Sequence, residues 1–298
     1  MILSDFSKTA YACVFAMQDD IKKSNAQDIE NILRHTIINS CLATKKKFHA
    51  QYNDLILCLD GGKNYRYGIH PDYKAGRRKG REESDMPWHI IFDCINRIKE
   101  EAKENFPWKV VWSDLAEADD VMAVLVEDVA NQNIIQVGVN EEPEPVLLDT
   151  RDHDMFQLHK YDNVKQWSFA DKKFIKPDVS PELFTKMLII NGDKGDGVEN
   201  VFTPLGDIAK GIRQKAAIKS RVEPILSCKS IFDYDADPFI AKRIRENNQL
   251  VCFDGMPINV RDEILESWNS RKKNTKMKMF EYLSKHRCKL LLEHVGDM

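Results

Sequence analysis

Carboxylates recur where the apolar runs of this sequence end. Asp5 closes the short apolar start, and Asp60 closes the run Leu55–Leu59. Glu117, Asp119 and Asp120 open a helix-spaced segment after a third run, Lys109–Trp112. Asp152 and Asp154 follow Val146–Leu148, and Asp193 and Asp196 lie in the glycine-bounded loop 192–197. Each has an ordinary explanation when taken alone. An acid at a helix start caps it, and a Gly-Asp-rich loop is a turn. Asp149, Asp152 and Asp154 faintly suggest a calcium loop but lack its glycine and distal glutamate. The ensemble asks for more, because acids at one strand end after another repel unless a cation neutralises them. Oxygen ligands without a histidine or cysteine pattern suit Mg²⁺, with Mn²⁺ as a substitute, rather than zinc. Such a basin has room for two ions roughly 4 Å apart, and its chemistry is metal-assisted phosphodiester hydrolysis.

Directly after Asp60 the character of the chain inverts. Residues 63–81 hold seven Lys or Arg (63, 66, 74, 77, 78, 79 and 81) against one Asp, with Tyr65, Tyr67 and Tyr73 interleaved. Cations for phosphates and aromatics for bases make the composition of a single-strand contact. A solvated basic loop is the alternative for this segment alone; beside an acidic basin, substrate contact is the stronger reading. A second basic stretch, 271–278, reads as a surface loop.

The elements that must position these groups follow from hydrophobic periodicity. Helical spacing is expected over 6–17, 28–44, 88–106, 117–130 and from 152 to 160. Strands are expected at the apolar start and over 55–59, 109–112, 134–139 and 146–148, with a turn-rich stretch at 141–145. This alternation to about residue 170 predicts an α/β fold with a parallel central sheet flanked by helices. Ligands of such sheets bind at the carboxyl ends of the strands, where the acids lie. Beyond a boundary near 180 the signals are helical, over 181–191, 205–219, 237–248, 260–270 and 279–293.

Bulk properties constrain the partners less. The net charge of the 298 residues is -3, with 43% hydrophobic and 31% charged residues, so a core is affordable but bulk charge does not select nucleic acid. Seven cysteines, with no C-x-x-C pair, predict reduced thiols rather than zinc ligands or disulfides. No basic-then-apolar leader opens the sequence, and no apolar run approaches about 18 residues. A soluble, cytoplasmic monomer without a membrane partner is expected.

The strings around the acids resemble the flap endonuclease and 5′→3′ exonuclease family. They are Leu3–Ser7, Leu57–Asp60, Tyr73-Lys74, Arg81–Ser84, the Glu-Ala-Asp-Asp of 117–120 with the apolar Val121–Val126, Asp152–Asp154 and the Gly-Asp-x-x-Asp of 192–196. Gln157–Tyr161 and Asn163–Ser168 resemble its T-even phage ribonuclease H branch, and the likeness extends around Glu246-Asn247 and Leu250–Val260. It therefore covers nearly the whole chain. The resemblance implies a PIN-like 5′-nuclease domain over 1–180 with a basic arch at 61–87. It implies a helical domain over 181–298, with a helix-three-turn-helix on duplex DNA around 181–220. It implies a structure-selective 5′→3′ exonuclease and flap endonuclease with ribonuclease H activity. Such an enzyme removes RNA primers and 5′ flaps during phage DNA replication in the host cytoplasm.

By residue, the resemblance implies a first metal site around Asp5, Asp60, Glu117, Asp119, Asp120 and Asp152. A second site would involve Asp154, Asp193 and Asp196, and Asp119 carries over as a catalytic residue. Lys74 and Arg77 match basic catalytic residues at the arch base, and Arg66 matches one on its approach. Arg66, Lys74, Arg77, Arg78, Lys79 and Arg81 would contact nucleic acid. The implied substrates are duplex DNA and RNA–DNA hybrid with 5′ ends or flaps; a replication clamp and a single-strand-binding protein are implied partners.

Three departures stand out. Gly197 replaces the usual Asn, which would loosen the second-site loop. Arg151 and His153 replace small or flexible residues and would tune metal affinity. Residues 134–145 read as an insertion. The arch, glycine-rich and poorly hydrophobic, is expected to order on binding. Competing readings are a PIN-type single-strand ribonuclease, which needs neither arch nor duplex module, and a non-catalytic DNA-binding adaptor, which has no reason to keep repelling acids together.

Overall fold

The computed structural model describes residues 1–77, 81, 84–137, 140–169 and 171–298. At its centre is a six-stranded sheet: β1 (Ile2–Asp5), β2 (Leu55–Leu59), β3 (Lys109–Trp112), β6 (Val146–Asp149), β7 (Val164–Ser168) and β8 (Lys173–Ile175), in the order β3-β2-β1-β6-β7-β8. All neighbouring pairs are parallel except β7 with β8. The expected parallel sheet is therefore present, with an antiparallel edge that periodicity did not indicate. Successive strands run outward from β1 in one direction and then, from β6, in the other. The chain thus reverses between β1 and β6, which is where open α/β sheets place their ligand crevice.

Helices α1 (Phe6–Ala16), α2 (Ala26–Tyr52) and α3 (Trp88–Asn105) cover one face. The period-2 alternation of strand side chains divides the core cleanly. Ile2, Leu55, Leu57, Leu59, Val110 and Leu147 point to that face. Leu3, Ile56, Cys58, Val111, Val146 and Leu148 point to the other, against α4 (Ala118–Val124) and its π-helical continuation Leu125–Ala130. Both faces are buried, which is why the strands read as unbroken apolar runs. Each such side chain removed from water contributes roughly 1.5–3 kcal/mol.

The C-terminal helices complete both cores. They are α5 (Pro181–Asn191), α6 (Lys219–Leu226), α7 (Pro238–Val251), α8 (Ile258–Ser270) and α9 (Lys276–Lys285). Val260 and Ile264 of α8 pack on the α4 face, while Met279, Tyr282 and Leu283 of α9 pack on the α1–α3 face. Arg34 of α2, fully buried, is held by Glu30, by Glu101 and by the Tyr282 hydroxyl at 2.8 Å. A third core gathers Ile189, Ile190, Val222, Ile244 and Leu250 with Tyr73 from the basic segment.

Several expectations need correction. Within the stretch 134–145, β4 (Ile134–Val137) pairs antiparallel with β5 (Asn140–Pro143), separate from the central sheet, and residues 138 and 139 lie outside the described residues. The stretch 152–160 is a 3-10 helix, His153–Lys160. The helix expected over 205–219 is absent: turns and irregular chain lead to α6. Gly206 and Gly211 stand at φ 84° and 76°, outside the helical region, and the Ile208 N–H is taken by Glu199 at 2.7 Å. The helix–turn–helix expected around 181–220 thus has its first helix and a turn at 194–197, but no second helix in the expected place. The last helical stretch divides into α9 and the short Lys289–Leu292. All seven cysteines are free thiols, five of them buried. Among the described residues, no helix is long and apolar enough to cross a membrane.

Candidate metal centre

The carboxyl ends of β1, β2 and β6 and the start of α4 meet at one cavity of about 220 Å³. Eight of the nine predicted acids line it: Asp5, Asp60, Glu117, Asp119, Asp152, Asp154, Asp193 and Asp196. The parallel register explains the convergence. Asp5 pairs with Cys58, two residues before Asp60, and Leu59 pairs with Trp112, five residues before Glu117.

Most of these acids also cap something. Asp5 is the N-cap of α1 and accepts from Lys8 N–H at 2.9 Å. Asp60 accepts from Ala118 N–H at 2.9 Å with one oxygen and from the Ser7 hydroxyl with the other. Asp152 caps the 3-10 helix through Asp154 N–H at 3.0 Å and turns its second oxygen to the Lys8 ammonium at 2.6 Å. Capping and site-building are therefore linked here: a main-chain N–H fixes one oxygen of each acid, while the other is left over at Asp5 and is held by Ser7 at Asp60 and by Lys8 at Asp152. Asp119 is the exception. Its Oδ1 is buried without a hydrogen-bond partner, a costly state for an acceptor unless a ligand completes it.

The electrostatics agree. Burial, then the neighbouring Asp60, pushes Asp5 up to about 7. Burial, then Asp152, Asp193 and Asp196, pushes Asp154 up to about 8. Asp119 and Asp193 are raised by burial and by acidic neighbours. Burial alone would raise Asp152 as well, but the Lys8 ammonium holds it below the usual carboxylate range. Among the described residues no three acids already form a finished cage for a metal; Lys8, Lys74 and Arg77 are paired with them instead. Crowded, repelling, oxygen-only donors with one orphaned acceptor fit a hard divalent cation, and such ions keep several waters.

The basic segment roots at the cavity rim. Lys74 pairs with Glu117 and, at 3.4 Å, with Asp196; Arg77 pairs with Asp196. Lys74 sits at φ 61°, a strained position for a side-chain-bearing residue. Its N–H to Asp196 O, at 2.7 Å, and its ammonium to Glu117 hold it there. The Tyr73 hydroxyl stands 2.9 Å from Asp196 and 3.1 Å from Glu117, joining the two groups of acids.

Two assignments change. Asp120 is fully buried and accepts from Arg66 at 2.6 and 2.7 Å and from Glu117 N–H at 3.0 Å. It is committed to that pair and does not line the cavity. Arg66, equally committed, is 4% exposed and also donates to Leu250 O at 2.7 Å, so it is an internal brace rather than a nucleic-acid contact. Arg81 donates to Arg77 O at 3.0 Å and lies over the Phe92 ring. Arg78 and Lys79 lie outside the described residues. Arg151 turns to Asp171 at 3.3 Å and His153 stacks on Phe156, so neither pairs with Asp152. Gly197 has φ 77°, the left-handed region that Gly and Asn both enter. Lys8 and Ser7 escaped the sequence reading, although Lys8 lies one helical turn past the Asp5 cap, the right spacing to share its face.

Residues 1–185 match the 5′-3′ exonuclease N-terminal resolvase-like domain family, and residues 179–298 match the T4 RNase H C-terminal family. The chain belongs to the 5′-3′ exonuclease family. It is a nuclease. It is 32% identical to ribonuclease H of Enterobacteria phage T4, covering 99% of this chain and 94% of that protein. The fold is similar to bacteriophage T5 flap endonuclease, solved as a pseudo-enzyme–product complex with DNA and metal ions, with TM-score 0.60, 18% identity, 90% of this chain and 99% of that one covered. It is also similar to T5 5′-exonuclease with bound zinc, with TM-score 0.58, 17% identity, and 90% and 98% covered.

Proposed function

We propose that this chain is a divalent-metal-dependent, structure-selective 5′→3′ exonuclease and flap endonuclease with ribonuclease H activity. It removes RNA primers and 5′ flaps during phage DNA replication, in the host cytoplasm, alongside a replication clamp and a single-strand-binding protein. Its substrates are duplex DNA and RNA–DNA hybrid bearing 5′ ends or flaps. One observation carries the reading: acids from β1, β2, β6, α4 and the loop after α5 converge on one cavity, with Lys74 and Arg77 at its rim. The assignment of the arch, of Arg81 as a strand contact and of the division into domains at about 180 belongs to the same proposal.

Asp5, Asp60, Glu117, Asp119 and Asp152 would hold one Mg²⁺, and Asp154, Asp193 and Asp196 a second, with Mn²⁺ able to substitute. Bound divalent cations would supply Lewis acidity and charge neutralisation at the scissile phosphate. The chain's own residues do the rest. Lys74 and Arg77, at the cavity rim beside Glu117 and Asp196, would grip the phosphate and stabilise charge developing on it. Lys8 keeps Asp152 ionised. Lys74 lines the cavity, with its ammonium paired to Glu117 and Asp196.

The test is cleavage of an end-labelled 5′-flap duplex with and without Mg²⁺, in the parent and in Asp119→Asn. Short 5′ products that require Mg²⁺ and Asp119 are expected. Cleavage that survives EDTA rejects the metal reading. Cleavage of unstructured RNA with indifference to the 5′ junction turns the assignment to a single-strand ribonuclease.

A further inference from the structure

Two consecutive carbonyls of the acidic loop are held by the root of the basic segment. Lys74 N–H donates to Asp196 O at 2.7 Å, and the His70 Nε2 lies 2.9 Å from Gly197 O. A carbonyl only accepts, so Nε2 carries the proton. His70 is 2% exposed and ends the helical turn Arg66–Ile69. Behind it lies Glu199, fully buried, with one oxygen accepting from Ile208 N–H at 2.7 Å. The other oxygen has no hydrogen-bond partner and stands 3.9 Å from His70 Nε2. A buried carboxylate oxygen left this way is expensive unless a neighbouring group offsets it, and the His70 imidazole lies within 3.9 Å of it.

The anchorage on the far side is equally firm. Asn247 donates to Ile189 O at 2.9 Å and to Glu199 O at 2.8 Å, and Arg243 reaches Glu199 O at 3.2 Å. The loop that carries Asp193 and Asp196 is thus pinned to α7 at its end. On the other side Tyr73, Lys74 and Arg77 reach the Asp196 carboxylate, and Lys74 N–H and His70 add the two links to the loop's main chain.

We propose that His70, backed by Glu199, is a positioning residue: it clasps Gly197 so that Lys74 and Arg77 stay in register with Asp193 and Asp196. The clasp makes the phosphate grip and the second acid group one rigid unit. His70 touches neither substrate nor cation. Its part in cleavage rests on the nuclease reading; its part in registering the two segments does not.

The experiment pairs amide hydrogen exchange with single-turnover cleavage of the 5′-flap duplex. His70→Leu removes the donor. His70→Gln restores an amide donor near the Nε2 position. Losing one hydrogen bond is worth about tenfold in an opening equilibrium. His70→Leu should therefore lower protection of the Lys74 amide, whose N–H bonds Asp196 O, about tenfold, with Leu57 in the central sheet unchanged. The cleavage rate should fall in step while flap-binding affinity holds, and His70→Gln should recover both. Glu199→Gln, which keeps the acceptor for Ile208, should show the same pattern at about threefold.

The proposal is overturned if His70→Leu leaves Lys74 protection unchanged, or if Leu57 loses protection equally, since the residue then serves the whole fold. Should His70→Leu fail to fold, Glu199→Gln decides: no local change at Lys74 overturns the clasp. A parent chain that fails to cleave the flap defeats the nuclease reading, and the exchange measurements still judge the clasp.

Discussion

Arg66 grips Asp120 through both terminal nitrogens, at 2.6 and 2.7 Å, with neither residue open to solvent. The pair joins the helical turn after β2 to the first turn of α4, so it sets the angle at which Glu117 and Asp119 enter the cavity. Removing one partner leaves the other buried and uncompensated, which costs about 3–5 kcal/mol. Asp120→Ala is therefore expected to lower the unfolding free energy of the EDTA-treated protein, read from urea melts, by that margin. A metal ligand would behave differently, with stability intact in EDTA and only divalent-ion affinity lost. An EDTA-treated Asp120→Ala chain as stable as the parent would return Asp120 to the ligand set.

Asp119 stands two residues from the Glu117 cap and behaves oppositely. Its buried carboxylate faces Asp5, Asp152 and Glu117, and its Oδ1 has no partner. Asp119→Asn removes a repelling charge while preserving shape. The melting temperature in EDTA should hold or rise, while the cleavage rate in Mg²⁺ falls on the order of 10³-fold, as when a transition-state stabiliser is removed. Equal losses of stability and rate would show that Asp119 is structural.

The raised acids fix the sign of a pH effect in the metal-free chain. Asp5 at about 7 and Asp154 at about 8 bind protons more tightly folded than unfolded. The folded state then holds more protons than the unfolded state between pH 4 and 8, so stability falls as pH rises through that window. A tenfold difference in proton affinity is worth about 1.4 kcal/mol. In EDTA the melting temperature should decline from pH 5 to pH 8; in Mg²⁺ the decline should flatten, because the cation replaces the protons. A melting temperature that climbs over this range without metal would mean these acids are stabilised as anions by the protein itself.

How much of this was legible depended on whether the signal was local. The strands Leu55–Leu59 and Lys109–Trp112 read correctly, because burial on both faces writes an unbroken apolar run. The acids were legible because a parallel sheet makes each strand end equivalent, and a residue type repeated there declares itself. The 205–219 stretch misled: its Leu205, Ile208 and Ile212 have helical spacing, but two glycines at positive φ and the Glu199 carboxylate claim the backbone. Asp120 and Arg66 misled for a different reason. Each lay in a cluster of its own sign, and the two-point contact between residues 54 apart leaves no mark in local spacing. The three-residue β8 was too short to show alternation.

The glycines of the acidic loop give the last prediction, because they separate a backbone requirement from a sequence habit. Gly192 and Gly197 both have positive φ, 66° and 77°. A Cβ on Gly192 would fall 2.4 Å from Val198 O and 2.5 Å from Glu199 O, whereas one on Gly197 meets nothing closer than Asp72 O at 3.5 Å. Gly197→Asn therefore keeps a conformation that Asn tolerates, with its Cβ at ordinary contact distance from Asp72 O; its cost should stay below about 1 kcal/mol, with cleavage near the parent rate. Gly192→Ala must push two main-chain carbonyls away, carrying Asp193 and Asp196 with them. It should cost more stability than the 1–3 kcal/mol typical of local backbone strain or, if the loop yields instead, spare the melting temperature and lose cleavage about tenfold or more. Melting curves and single-turnover rates on the two variants distinguish these outcomes. A Gly197→Asn chain as impaired as Gly192→Ala would mean that the loop needs glycine for flexibility, not for the space that its backbone path denies a side chain.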